Sequence, residues 1–246
     1  TSVTRSYDSR DGGVGDFGES WKMDVGSVRL EKSGIMGEGW HLETNLVDVC
    51  AIEDTNDVHL VTITFPDDKV YRFFAAIELN DRGTACTGVN GVSGAYGRVI
   101  FLPVAGTTGT LTNLHAPAKL LLNYLSSDGA VSFHEDRDDP DEQGLYGSLY
   151  DPQEFLFTTL DGRQFYFNAA GKVTKMIDRN GNSLMFCADG VIHSSGKGIK
   201  FVRDAANRIR EIYDPNGLDS AGHAAALRTG GISFGSIGTG NISLVC

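Results

Sequence analysis

The stretch Asp161-Gly162-Arg163-Gln164-Phe165-Tyr166-Phe167-Asn168-Ala169-Ala170-Gly171-Lys172-Val173-Thr174-Lys175-Met176-Ile177-Asp178-Arg179-Asn180-Gly181-Asn182 decides the fold. Short runs of apolar and β-favouring residues alternate with clusters of Asp, Asn and Gly at nearly even spacing. That is the pattern of antiparallel strands joined by tight turns. Displacing the chain by 36 residues superposes Gly162 on Gly198, Phe165 on Phe201, Asn168 on Asp204, Gly171 on Asn207, Val173 on Ile209 and Met176 on Ile212. The same displacement brings Asp178 onto Asp214, Asn180 onto Asn216 and Gly181 onto Gly217. The matched positions are turn residues and inward-facing apolar residues, as a repeated hairpin requires. Gly and Asn tolerate the left-handed backbone of such turns, and alternation fixes which face is buried. Each repeat then buries its apolar face against its neighbours.

Working outward, Val58–Phe65 and Lys69–Phe74 read as a hairpin across Pro66-Asp67-Asp68, and Val99–Val104 as another strand. Asp128-Gly129 marks a turn before Val131–Phe133, and Phe155–Leu160 leads into the repeats. Helical periodicity is nearly absent; the best candidates are Pro117–Leu125 and Ala221–Leu227. The acidic run His134–Gln143 reads as an exposed loop at a boundary. The expected organisation is a less regular β region over 1–140, hairpin repeats over 141–217 and a divergent segment over 218–246. The fold class is all-β, with antiparallel hairpin repeats in a curved or spiralling sheet.

Composition narrows the function classes. In 246 residues, 21 basic and 32 acidic side chains give a net charge of −11, which argues against a nucleic-acid surface. No apolar run approaches the roughly 18 residues of a membrane helix. The chain has 31 glycines against 6 prolines, a balance suited to many turns. Cys50, Cys86, Cys187 and Cys246 lack C-x-x-C spacing, which argues against a zinc ribbon or thioredoxin motif; they read as mostly buried free thiols, with one or two disulfides as the alternative. The start at Thr1 and the end at Cys246 suggest a piece of something longer.

The pattern Asp161-Gly162-Arg163, Phe165-x-Phe167-Asn168, Gly171-Lys172-Val173, Ile177-Asp178-Arg179-Asn180-Gly181-Asn182 resembles RHS/YD-repeat sequence. The second unit, from Phe201-x-Arg203-Asp204 through Asn207-Arg208-Ile209 to Ile212-Tyr213-Asp214-Pro215-Asn216-Gly217, is similar again, and Tyr213-Asp214 is the dipeptide that names such repeats. Gly190–Lys197 resembles the linking segment of large bacterial RHS proteins. Thr4–Arg10 with Gly15-Asp16-Phe17-Gly18-x-x-Trp21 is similar to the segment opening an RHS region, with Ser20 where the family commonly has Gly. The likeness covers about 1–22 and 150–217; after Gly217 the expected Tyr-x-Tyr-Asp repeat is missing. The resemblance implies a structural part of a β-shell or surface protein that encloses or displays an effector segment. It implies secretion or a cell-surface location, and as partners other repeats or an effector segment of a longer chain. Self-association through an exposed sheet edge follows from the same picture. No membrane span and no nucleic-acid partner are expected.

The residues expected to matter are therefore structural: Gly162, Phe165, Gly171, Asp178, Asn180, Gly181, Phe201, Ile209, Tyr213, Asp214 and Gly217. No enzyme activity, cofactor or metal is expected. His193-Ser194-Ser195 contains nucleophile and base types, but no Gly-x-Ser-x-Gly elbow accompanies it, and a polar turn explains it. Glu135, Asp136, Asp138, Asp139, Asp141 and Glu142 read as solvated charges rather than an acid–base pair. Asp178-x-Asn180-Gly181-Asn182 offers oxygens for calcium, yet a full loop would require an acidic twelfth residue, and strand-like Leu184-Met185-Phe186 interrupts the count to Asp189. Trp21 and Trp40 with Tyr7, Phe17 and Tyr96 keep open an alternative, an extracellular carbohydrate-binding or adhesion module of the same β fold.

Overall fold

The computed structural model describes residues 5–7, 9, 13–15, 17–19, 21–23, 28–44, 49–53, 59–79, 96–117, 119–124, 129–135, 147–196, 198–218 and 224–226. Among these the chain is all β, with no helix. In chain order the strands are β1 (Arg5–Tyr7), β2 (Val14–Gly15), β3 (Gly18–Glu19), β4 (Trp21–Met23), β5 (Arg29–Lys32), β6 (Trp40–Thr44) and β7 (Val49–Glu53). There follow β8 (Leu60–Thr64), β9 (Val70–Leu79), β10 (Tyr96–Pro103), β11 (Thr110–Asn113), β12 (Leu120–Tyr124), β13 (Ala130–Glu135) and β14 (Phe155–Thr158). The last are β15 (Gln164–Phe167), β16 (Val173–Ile177), β17 (Ser183–Cys187), β18 (Gly190–His193), β19 (Gly198–Arg203), β20 (Ile209–Leu218) and β21 (Ala224–Ala226).

Two large antiparallel sheets result. One has the order β5-β8-β9-β10-β12-β13-β6-β7, and the other runs β11-β14-β15-β16-β17-β18-β19-β20-β21. One sheet curls strongly into a half-barrel. The N-terminal strands form two small pairs, β1 with β4 and β2 with β3.

Alternation in the sequence becomes burial. Val61 and Ile63 on β8, and Tyr71, Phe73, Ala75 and Ile77 on β9, point inward. They meet Leu111, Phe155, Phe157, Phe165, Phe167 and Val173 of the other sheet in one core. This core draws side chains from both 1–140 and 141–217. A second cluster, Val191, Ile199, Phe201, Ile209 and Ile212, lies farther along the nine-stranded sheet, with Phe17 from the β2–β3 turn packed against it.

The sheets are also tied through the backbone. Leu30 N–H donates to the Gly171 carbonyl at 2.9 Å, and Arg29 bridges Lys172. Lys32 Nζ donates to Asp151 Oδ1 and to the Pro152 carbonyl. The exposed flank of β5 is thereby occupied by the β15–β16 turn.

The two helical candidates are corrected. Leu120–Tyr124 is a strand because Leu120 and Leu122 enter the core on one face while the backbone pairs with β10 and β13. Ala224–Ala226 is likewise a strand, pairing with β20. The free-thiol expectation is corrected at Cys187, which is disulfide-bonded, with its partner outside the described side chains. Spacing along a chain carries no record of which cysteines a sheet brings together. Most of the acidic run, residues 136–143, lies outside the described residues.

Candidate functional site

The predicted repeat is a physical one. In the β15–β16 hairpin, Phe165 pairs with Met176, Tyr166 with Lys175 and Phe167 with Val173, with a bulge between Tyr166 and Phe167. In the β19–β20 hairpin, Phe201 pairs with Ile212, Val202 with Glu211 and Arg203 with Ile209, with a bulge between Val202 and Arg203. Each partner and each bulge is displaced by 36 residues from its counterpart. A bulge bends its strand and increases local twist, so the two hairpins impose the same curvature.

The turns repeat atom for atom. Asn168 N–H donates to the Lys172 carbonyl at 3.0 Å, and Gly171 N–H returns to the Asn168 carbonyl at 2.8 Å. Asn168 Oδ1 accepts from Ala170 N and Lys172 N, both at 3.1 Å. Asp204 does the same with Arg208, Asn207 and Ala206, its Oδ1 accepting from Ala206 N at 2.9 Å and Arg208 N at 3.0 Å. Asp178 repeats the device, its Oδ1 accepting from Asn180 N at 2.8 Å and Asn182 N at 2.9 Å. The fourth residue of each turn is left-handed: Gly171 (φ 68°), Gly181 (φ 84°) and Asn207 (φ 60°). Gly162 (φ 85°) holds the same place in a turn opened by Thr159, whose hydroxyl accepts from Arg163 N at 3.0 Å. A side-chain oxygen satisfying two backbone donors is the reason for Asn or Asp at the first position.

Among the predicted residues, Gly162, Gly171, Asp178, Asn180 and Gly181 sit in these turns. Phe165 enters the first core, and Phe201 and Ile209 the second. Tyr213 pairs with Lys200 of β19 as Ile177 pairs with Gln164 in the first hairpin, whereas Asp214 and Gly217 depart from the expected hairpin turn. They lie within β20, whose pairing shifts register between Tyr213 and Leu218 as it runs against β21. The backbone continues as strand where a hairpin turn was expected. The side chains of these three residues lie outside the described set.

Electrostatics follow the turn geometry. The Asn182 side-chain amide and two backbone N–H groups hold the Asp178 carboxyl below its ordinary value of 3.8. The Arg208 side chain, then backbone donors, do so for Asp204, and the Thr159 hydroxyl, aided by Arg163, for Asp161. A lowered folded-state value means that the contribution to stability is present above the unfolded value and lost as pH falls through the folded one. The D178N/D204N double variant should therefore show a shallower loss of stability below about pH 4. At neutral pH it should be somewhat less stable than the native chain, because the ionised caps and the Arg208–Asp204 pair are lost, and it should approach the native chain in acid. Urea midpoints measured against pH check this, and an unchanged acid limb would refute it.

The oxygens of Asp178 are committed to the turn, with Oδ2 accepting from Asn182 Nδ2 at 2.8 Å. They do not converge on a cation position. Among the described residues no group of three His, Cys, Asp or Glu side chains is placed to hold a metal. His193 Nδ1 lies 2.8 Å from Ser195 Oγ and accepts from Ser195 N at 3.0 Å, an arrangement that closes the polar turn. Gly181→Val, which forces a β-branched residue to positive φ, should lower the melting temperature with a cost of about 2 kcal/mol. His193→Ala should stay within about 1 kcal/mol. Equal melting temperatures would contradict this reading.

Trp40 is a core residue, stacked on His59 at 4.6 Å with its Nε1 donating to the Met36 carbonyl. It is thus withdrawn from any aromatic platform. Tyr7 is 57% exposed, and Phe17 packs on the second cluster. The side chains of Trp21 and Tyr96 lie outside the described residues.

Two polar arrangements had no sequence signal because their partners are non-local. His134 Nδ1 donates to the Gly147 carbonyl at 3.0 Å, and its Nε2 shares a 3.0 Å hydrogen bond with the buried Ser132 hydroxyl. This network fastens β13 to the chain at 147. Tyr150 is buried beside it, and its hydroxyl accepts from Asn113 Nδ2 at 3.1 Å. Burial pushes the Tyr150 phenol up to about 12. The associated stability is complete below the unfolded tyrosine value of 10.0 and is lost as pH rises through the folded one. Tyr150→Phe should flatten the alkaline limb of stability, at the cost of about 1 kcal/mol for the Asn113 bond. Denaturant midpoints between about pH 9 and pH 12 check it.

Compared with known proteins, the chain matches no family model, no curated protein sequence and no solved structure.

Proposed function

We propose that this chain is a structural segment of an RHS/YD-repeat β-shell, a wall that encloses or displays an effector segment. The observation that carries the proposal is the pair of hairpins 36 residues apart with identical pairing, bulge and turn. A unit that repeats its bulge repeats its bend, and such units in series build a curved wall rather than a flat sheet. The capped turns are the working parts: in each, one side-chain oxygen satisfies two of the turn's own backbone donors. No reaction step is assigned to any side chain.

A secreted or cell-surface location fits the disulfide at Cys187, since such bonds persist in oxidising compartments. The partners in this reading are further repeats and the effector segment, with β21 the last strand of that sheet among the described residues.

The test is to isolate the natural polypeptide that contains this segment, measure its intact mass, image it and treat it with protease. The expected result is a chain several times longer that forms a hollow particle and shields a segment from cleavage until the wall unfolds. A natural polypeptide no longer than these 246 residues, with nothing shielded, overturns the proposal.

A further inference from the structure

The three capped turns of the repeat region differ at one chemically important place. The third turn position is Ala170 in the first hairpin and Ala206 in the second, but Asn180 in the turn between β16 and β17. Asn180 is exposed and is followed by Gly181, which has no side chain to hinder approach to its nitrogen. An asparagine before glycine is the pair most prone to intramolecular deamidation. We propose that Asn180 is a covalent modification site, deamidating through a cyclic imide at a rate governed by the Asp178 cap.

The chemistry balances with water alone. Gly181 N attacks Asn180 Cγ; the N–Cγ bond forms, the Cγ–Nδ2 bond breaks, and the Gly181 proton leaves with Nδ2 as ammonia. Water then opens the imide. Cleavage at Cγ gives aspartate, and cleavage at the main-chain carbonyl gives isoaspartate, in which the backbone runs through the former side chain.

The folded turn opposes the first step. Gly181 N–H is held by the Asp178 carbonyl at 3.0 Å. On either side of it, Asn180 N and Asn182 N are both held by Asp178 Oδ1, at 2.8 and 2.9 Å. The nucleophilic nitrogen must leave its hydrogen bond and rotate, while its neighbours are fixed to a single oxygen. Once isoaspartate forms, the extra backbone carbon separates these two donors and the cap no longer fits. The adjacent Ile177–Ser183 pair, the first rung between β16 and β17, lies beside that change. The proposal rests on the turn geometry alone and is independent of the shell reading.

The experiment incubates the full chain at mildly alkaline pH and follows Asn180 by peptide mapping, with isoaspartyl labelling to separate the products. The map distinguishes Asn180-Gly181 from Asn90-Gly91 and Asn216-Gly217. The variants are D178A, which removes the cap, and D178N, which keeps an oxygen acceptor as Asn168 does. The urea-unfolded chain supplies the uncapped rate. Native protein and D178N should modify Asn180 about tenfold more slowly than the unfolded chain, the factor that one well-formed hydrogen bond supplies. Folded D178A, which loses the side-chain bonds to Asn180 N and Asn182 N but keeps the backbone bond to Gly181 N, should be faster than native protein and D178N and slower than the unfolded chain. If D178A does not fold, the comparison of native protein and D178N with the unfolded chain decides the matter. A native rate equal to the unfolded rate, a folded D178A as slow as native protein, a D178N as fast as the unfolded chain, or no modification of Asn180 even in the unfolded chain overturns the proposal.

Discussion

Gly171→Asn should destabilise the fold by about 3–5 kcal/mol, whereas Gly181→Asn should cost about 1 kcal/mol or less. Both glycines are left-handed, at φ 68° and 84°. Asn207 shows that asparagine accepts this conformation in the equivalent turn, at φ 60°. Backbone conformation alone therefore does not require glycine at either position. The surroundings separate them. A Cβ on Gly181 meets open space, but a Cβ on Gly171 would overlap the Leu30 carbonyl. Leu30 cannot withdraw cheaply, because its own N–H donates to the Gly171 carbonyl at 2.9 Å. Retreat would open the junction between β5 and the repeat hairpin and disturb Arg29–Lys172 beside it. Chemical denaturation of the two variants checks the contrast. Equal losses would mean that turn strain, and not the docking of β5, sets the requirement at Gly171.

The same pair of positions shows what a sequence makes legible. Turn chemistry is local, so Asn168, Asp178 and Asp204 could be read as turn openers, and Gly171 and Asn207 as equivalents, from spacing alone. Strand alternation is local too, which is why Phe165, Phe167 and Phe201 were legible as core. The contact between Leu30 and Gly171 joins positions far apart in the chain, and nothing near either residue announces it. Ser132, His134 and the Gly147 carbonyl are hidden for the same reason, as is the bond made by Cys187. The errors have a second cause. Ala221–Leu227 and Pro117–Leu125 carry residues that suit a helix locally, but strand pairing with β20, and with β10 and β13, overrides that preference. At Asp214–Gly217 the residues of a turn are present, yet they lie within β20, and its pairing with β21 shifts register across them. Turn residues permit a reversal; the position of the next strand decides whether one occurs.

Phe157→Ala should be the most damaging single truncation in the first core, at about 3–5 kcal/mol. Phe157 is fully buried on β14. Its ring lies 4.7 Å from Tyr71, 5.8 Å from Phe73 and 6.2 Å from Phe165, with Phe65 at 6.3 Å. Tyr71 and Phe73 belong to the eight-stranded sheet, and Phe165 to the nine-stranded one. The ring therefore fills space between the sheets, and its edge and tilted contacts add to simple burial. Alanine would leave a cavity that two paired sheets cannot close, since collapse on one side would pull strands out of register with β11 and β15. Phe157→Leu keeps most of the volume and should lose less than half as much. Phe201→Ala removes the same side chain from the second cluster, whose members are fewer and whose cover includes the partly buried Phe17. That site can relax by shifting the short β2–β3 hairpin, so its loss should be smaller than at Phe157. Denaturant unfolding of the three variants, read as midpoint and slope, distinguishes the cases. A Phe201→Ala loss equal to or larger than that of Phe157→Ala would mean that the second cluster, not the layer between the sheets, limits the stability of the fold.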